Sequence, residues 1–266
     1  DLLVYIETDN GLYGWGEGGQ YGPAEPVQAC IEHVLAPRIL GRNPLDKGIL
    51  WHEMYNYTKD FGQKGTYIEA ISAIDIALWD ICGKALGVSA AHLMGGRQRE
   101  CVEMYATGCY YRGDQYLDLG KTLDELKAEA AGYVDAGFKM LKVKIGLLSV
   151  EDDAKRVHAI RETVGDDVGI FVDCNHAYNA YTAVRMGKYL EKENVLFMEE
   201  PVIPEDREGY RCVREKLDIA IAGGEAEYTL YGFRDFITSR CIDIAQPDIT
   251  VCGGLTEFLR IRDFAT

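Results

Sequence analysis

The sequence predicts an α/β protein built on a parallel barrel of the (β/α)8 type, and three observations predict it. Short apolar runs end one after another in ionisable residues: Lys142-Val143-Lys144, Val172-Asp173-Cys174-Asn175, Met198-Glu199-Glu200-Pro201, Gly223-Gly224-Glu225 and Gln246-Pro247-Asp248. The four acids Asp173, Glu199, Glu225 and Asp248 stand 26, 26 and 23 residues apart, close to the roughly 30 residues that such a barrel allots to each strand and its helix. Helix-like segments separate them. Strand and helix alternating at this period read as parallel sheet, and parallel strands closing into a barrel bring consecutive strand ends together around one mouth.

The elements follow in order. Residues 1–17 read as a β-hairpin, with Asn10-Gly11 as the favoured turn dipeptide. The Gly- and Pro-rich stretch 18–26, with Gln20 and Tyr21, is a loop, either a connector or a lid. Pro26 opens a helix running to about Ile39, with Pro37 expected to kink its end, and a second helix spans about Asn43–Tyr57. Residues 68–84 are apolar around most of the helical circumference, which predicts a helix buried on several sides. Gly95-Gly96 and the charges after them mark a junction near residue 100, dividing residues 1–100 from 101–266. Past it come a strand over Cys101–Ala106, a tyrosine-rich loop over residues 109–120 with Arg112, and a helix from Thr122 to Asp135 with Glu125 completing a capping box. Strands are then predicted over Lys139–Ile145, Val168–Val172, Val195–Met198, Ile219–Ala222 and Ile242–Ala245. Helices capped by Ser149, Asn179 and Thr229 lie between them.

With 266 residues and 47% apolar content, the chain can bury one barrel or two ordinary domains. A net charge of −15 argues against nucleic acid or an anionic membrane surface as partner. Eight cysteines stand singly, without a Cys-x-x-Cys pair, as free thiols do in a reducing cytoplasm. No run approaches a membrane span of roughly 20 apolar residues and no signal peptide opens the sequence, so a cytoplasmic protein is expected.

Singly, each acid would be read as a helix cap or an ion-pair partner. Asp173, Glu199 and Glu225 together, one per barrel unit, would repel one another unless a cation neutralised them, and oxygen-only ligands favour a hard ion such as Mg2+. Strand alternation sends Lys142 and Lys144 to one face, where desolvation and mutual repulsion are expected to depress their pKa values and make a base near neutral pH. Asp248 is open to three roles: fourth ligand, structural cap, or orienter of a catalytic His. Asn175 is a candidate to support the metal or to bind substrate, and Glu200 to orient a neighbour. His176 reads as structural or surface.

These motifs in order, with Gly253-Gly254 after Asp248, resemble the enolase superfamily, mandelate racemase subgroup. Gly14-Trp15-Gly16-Glu17 and Ala77-Leu78-Trp79-Asp80 resemble that family's N-terminal α+β capping domain. The resemblance implies Mg2+ on Asp173, Glu199 and Glu225, and Lys144 as the base that removes the proton α to a carboxylate to give an enediolate. It further implies Lys142 as the group that helps hold the carboxylate. Asp248 would pair with a His from the next strand. A small carboxylate, a hydroxy acid or acid sugar, is the implied substrate, with Asn175, Tyr21 and Arg112 as candidate contacts, and a homo-oligomer is expected.

The sequence departs from the pattern at its end, because it reaches Thr266 after the sixth strand and its helix, before that His. The expectation is therefore strands 1–6 of a longer barrel and a capping domain short of its first strand; a natural truncation is the alternative. Acid-sugar dehydration is favoured over α-hydroxyacid racemisation, and a non-catalytic metal-binding barrel is the reading from another class. A muconate-lactonising type of cycloisomerase is disfavoured, since it would carry a lysine where Asp248 stands.

Overall fold

A computed structural model describes residues 2–19, 22–111 and 121–266. The chain gathers into two compact units, residues 1–100 with 224–235 and 246–266, and residues 101–223 with 236–245.

The first unit opens with the antiparallel hairpin of β1 (Leu2–Glu7) and β2 (Tyr13–Gly18), with Val4 opposite Gly16 and Tyr5 opposite Trp15. Gly11 turns it at φ 82°, in the left-handed region that glycine enters without strain. A helix follows in three pieces, α1 (Glu25–Cys30), a widened π segment (Ile31–Leu35) and α2 (Ala36–Ile39). The widened turns lie directly before Pro37, which lacks an N–H and would clash with the carbonyl four residues back in a regular helix. Asn43 caps a 3-10 turn, Pro44–Asp46, that leads into α3 (Lys47–Thr58). The long α4 (Thr66–Leu86) buries Ile68, Ile71, Ile74, Leu78 and Ile81 as well as Ala70, Ala73 and Ala77, as its all-round apolar pattern requires. Against it β2 lies so close that a Cβ on Gly16 would stand 1.9 Å from the Ala73 carbonyl oxygen. The short α5 (Ala90–Leu93) is capped by Ser89.

The second unit is organised by six parallel strands, hydrogen-bonded in chain order. These are β3 (Ala106–Gly108), β4 (Met140–Lys144), β5 (Gly169–Asp173), β6 (Val195–Glu199), β7 (Ala220–Gly223) and β8 (Ile244–Ala245). Helices α6 (Leu123–Asp135), α7 (Val150–Val164), α8 (Ala180–Leu190), α9 (Arg207–Lys216), α10 (Thr229–Thr238) and α11 (Gly254–Ala265) follow the strands in turn; α11 and the first seven residues of α10 belong to the first unit. Thr122 and Glu125 form the full capping box on α6, and Ser149 and Asn179 cap α7 and α8. The strand expected over Cys101–Ala106 begins only at Ala106, which pairs with Leu141, and residues 101–105 lie outside the ladder.

Alternation divides each strand between two faces. Leu141, Val143, Ile170, Val172, Met198 and Ile221 pack with apolar residues of the helices in one core. Lys142, Lys144, Phe171, Asp173, Phe197 and Glu199 hold the alternate positions. No described helix is long and apolar enough to cross a membrane.

Within the first unit α3 and α4 together hold the turn that starts α11. Trp51 Nε1 donates to the Gly253 carbonyl at 2.7 Å, and Ser72 Oγ accepts from Gly253 N at 2.9 Å. Asp75 accepts from Thr256 N at 2.9 Å and from its hydroxyl at 2.6 Å. Burial pushes the Asp75 carboxyl up to about 7 despite those two bonds. Its folded pKa thus exceeds its unfolded one, so the stability it contributes is fully present below the unfolded value and is lost as pH rises through about 7. Asp75→Asn keeps two partners on Thr256 and carries no charge. Relative to the unsubstituted protein it should gain a few kcal/mol of stability between pH 4 and pH 8, read by denaturant titration; an equal difference at both pH values would show that this carboxyl titrates normally.

Candidate active site

The register of the central strands sets the site. Lys144 pairs with Asp173 and Asp173 with Glu199, so three neighbouring strands deliver an amine and two carboxylates at one level. Asp173 and Glu199 are wholly buried. Lys142 Nζ stands 3.1 Å from both oxygens of Glu199 and 3.4 Å from Asp173 Oδ2. Lys144 Nζ reaches Asp173 Oδ2 at 2.5 Å and Asn175 Oδ1 at 2.7 Å, while Asn175 N donates to Asp173 Oδ1 at 2.9 Å. Two ammonium groups against two carboxylates balance the charge, which is what burial of ions requires. Two residues earlier on the same strands, the Phe171 and Phe197 rings stack at 4.2 Å, with Tyr105 edge-on to Phe171.

The depressed lysine pKa expected from the sequence does not hold for Lys142. Burial alone would lower it, but the charges of Glu199 and Asp173 outweigh burial and raise it. Strand alternation by itself brings Lys142 only the like charge of Lys144. The dominant charges come from the two strands beside it.

Beyond the strand ends the backbone turns sharply. Asn175, His176 and Glu200 all adopt positive φ, at 40°, 63° and 45°. Cross-strand bonds continue there: Cys174 N donates to the Glu199 carbonyl, His176 N to that of Glu200, and Glu200 N to that of Ala222. Left-handed non-glycine residues clustered at strand ends are strained positions that surrounding contacts hold in place. His176 Nε2 lies 3.1 Å from Glu200 Oε2, and burial lowers the His176 pKa. His176, read from sequence as structural or surface, therefore stands against an acid of the next strand; the positive φ that turns it could not be foreseen from residue alternation.

Glu225 and Asp248 belong to the first unit. Glu225 follows β7 by two residues, after Gly224 at φ 119°, and is half-buried. Asp248, also half-buried, accepts from Thr250 N and Thr250 Oγ1, each at 2.8 Å, and so braces its own turn. Among the described residues no three His, Cys, Asp or Glu side chains stand grouped as a metal centre; the acids brought onto shared partners are Asp173 and Glu199. Tyr21 and Arg112 lie outside the described residues. Sequence reasoning missed Tyr105 as a neighbour of Lys142 Nζ, 5.9 Å from its ring, and the Phe171–Phe197 stack. Period-two spacing from the acids would have found the two phenylalanines.

A parallel sheet whose strand ends set amines beside buried carboxylates defines an acid–base enzyme of the barrel class. The chain belongs to the mandelate racemase/muconate lactonizing enzyme family: that family's N-terminal domain matches residues 2–95, and the enolase C-terminal domain-like family matches residues 125–266. It is an enzyme of the enolase superfamily, a lyase or an isomerase. It is similar to the arabinonate dehydratase of Saccharolobus solfataricus, 41% identical over 264 residues that span 99% of this chain and 69% of that one. Among solved structures it resembles the 3,6-anhydro-D-galactonate cycloisomerase from Zobellia galactanivorans, with TM-score 0.91, 42% identity and coverage of 99% of this chain and 71% of that one. A racemase from Streptomyces coelicolor with bound magnesium is also similar, with TM-score 0.91, 30% identity and coverage of 99% and 76%.

Replacing Lys142 by Met leaves two buried carboxylates facing one ammonium. Without added divalent ions this should cost about 3 kcal/mol at pH 8. The cost should shrink toward pH 5, because a carboxylate whose folded pKa has risen takes up a proton there. Denaturant unfolding at both pH values reads it, and a pH-independent cost would mean that the ammonium does not neutralise the pair.

Proposed function

We propose that this protein is a Mg2+-dependent acid-sugar dehydratase that removes the proton α to a carboxylate. The observation that carries the reading is Lys144 Nζ, 2.5 Å from buried Asp173 and level with Glu199, on a chain 41% identical to an arabinonate dehydratase. Asp173 and Glu199 supply hard oxygen donors shielded from water, a set that suits Mg2+. Glu225 is proposed as the third ligand from its place in the chain, two residues past the next strand. When bound, Mg2+ supplies positive charge that stabilises the anion left by loss of the α-proton.

Lys144, which must first give up its own proton, accepts the α-proton as the free amine, and Lys142, held cationic by its acids, attracts the substrate carboxylate. Asn175, hydrogen-bonded to Lys144, orients the amine and contacts substrate, with Tyr21 and Arg112 as further contacts. Asp248 is assigned the orienting carboxylate on the other face. Residues 1–100 serve as capping domain and 101–266 as barrel, in a cytoplasmic homo-oligomer. Cycloisomerisation, set aside on sequence because of Asp248, returns as a second reading on the 42% identity to a cycloisomerase.

The test is NMR in D2O with Mg2+ and a panel of arabinonate, galactonate, galactarate and 3,6-anhydro-galactonate. A 2-keto-3-deoxy product is expected from an aldonate, with Lys144→Ala slowing it about 10²- to 10⁴-fold. Solvent deuterium at the α-carbon without loss of water would indicate racemisation instead. Opening of the anhydro ring would indicate the cycloisomerase. Calorimetric titration with Mg2+ should show Asp173→Asn and Glu199→Gln weakened by at least about tenfold; unchanged affinity in Glu225→Gln would remove Glu225 from the ligand set.

A further inference from the structure

We propose that Tyr111, Asp153 and Arg156 form a buried clamp that positions Lys144 and the aromatic ring beside it. The proposal rests on the reading of Lys144 as the proton-accepting amine. All three residues lie in the second unit.

Asp153 and Arg156 sit three residues apart on α7, hence on one helix face, and both are buried. Arg156 Nη1 donates to Asp153 Oδ1 at 2.8 Å and to the Lys144 carbonyl at 3.0 Å, and Nη2 donates to the Cys109 carbonyl at 2.8 Å. One guanidinium thus bridges the end of β4 and the segment that follows β3. Its plane also lies 3.9 Å over the Tyr111 ring. Tyr111 donates its hydroxyl to Asp153 Oδ1 at 2.6 Å and accepts from Leu147 N at 3.2 Å. Asp153 Oδ2 accepts from Gly146 N at 2.8 Å and Leu148 N at 3.4 Å.

A buried ion pair gives little net stability over a well-packed apolar replacement. What this pair specifies is placement, because its remaining bonds fall on the last carbonyl of β4, on the Tyr111 hydroxyl and on the backbone of two loops. The first of these loops carries Tyr110, whose ring centre is 5.9 Å from Lys144 Nζ. The second begins at the residue after Lys144. The clamp therefore fixes the origin of the lysine side chain and its aromatic neighbour on one support, and misplacement of a reacting group by about 1 Å can cost 10²-fold in rate.

Tyr111→Phe removes two hydrogen bonds without changing charge and with little change in volume. In this variant the amides of Gly146 to Leu148 should exchange with solvent deuterium about tenfold faster by mass spectrometry, while the melting temperature moves only a few degrees. On the Mg2+-loaded chain with arabinonate, the α-proton exchange rate at saturation should fall about tenfold and the primary isotope effect on kcat should rise. A merely structural role would leave the isotope effect where it was. Arg156→Lys, which keeps the charge but cannot span both carbonyls, should lose at least as much. Unchanged amide exchange in Tyr111→Phe overturns the clamp, and unchanged turnover and isotope effect overturn its link to Lys144. If Lys144→Ala exchanges the α-proton at the wild-type rate, or the wild type exchanges none, the reading of Lys144 fails, and the amide exchange of Tyr111→Phe still decides whether the clamp exists.

Discussion

Four charges sharing one dry space are the constraint on which the second unit depends. Asp173 and Glu199 have no exposure to solvent, and two uncompensated carboxylates could not stay ionised there. Lys142 spans both and Lys144 holds the first. The quartet is neutral as a whole but polar at every point, which suits a site that must receive a charged substrate.

That arrangement exists only because the strands are parallel and in register. Lys144, Asp173 and Glu199 come from three consecutive strands at one level, and a slip of one residue would send each of them into the helix-facing core. The apolar residues that alternate with them, such as Val143, Val172 and Met198, are fully buried on the other face. Burial on that side holds the register, and the register delivers the chemistry. The same economy shows in the helices, whose caps at Thr122, Ser149 and Asn179 start each crossover where the preceding loop ends.

Much of this was legible in the sequence because it rests on periodicity. Strand and helix positions from Met140 to Ala245 follow from apolar alternation, caps and breakers. Lys142 and Lys144 share a face for the same reason. The direction of the Lys142 pKa was not legible, since it depends on which residues of other strands lie opposite, a matter of register rather than spacing. Nor were the left-handed turns at Asn175, His176 and Glu200, because no glycine marks them. Residues 101–105 hold good β-formers, yet the ladder takes up the chain only at Ala106. The π-widened helix was foreseen only as a disturbance near Pro37, and its form depends on how the helix keeps its hydrogen bonds around a residue without a donor.

The division of the chain into two units has a spectroscopic consequence. All three tryptophans, Trp15, Trp51 and Trp79, lie within residues 1–100, and Trp51 and Trp79 are buried while Trp15 is about half exposed. Indole emission therefore reports the loosening of the hairpin-and-helix unit alone. The unit that carries the amines and buried acids is dark at that wavelength, and a tryptophan placed at Phe197 or Phe171 would light the floor beneath them.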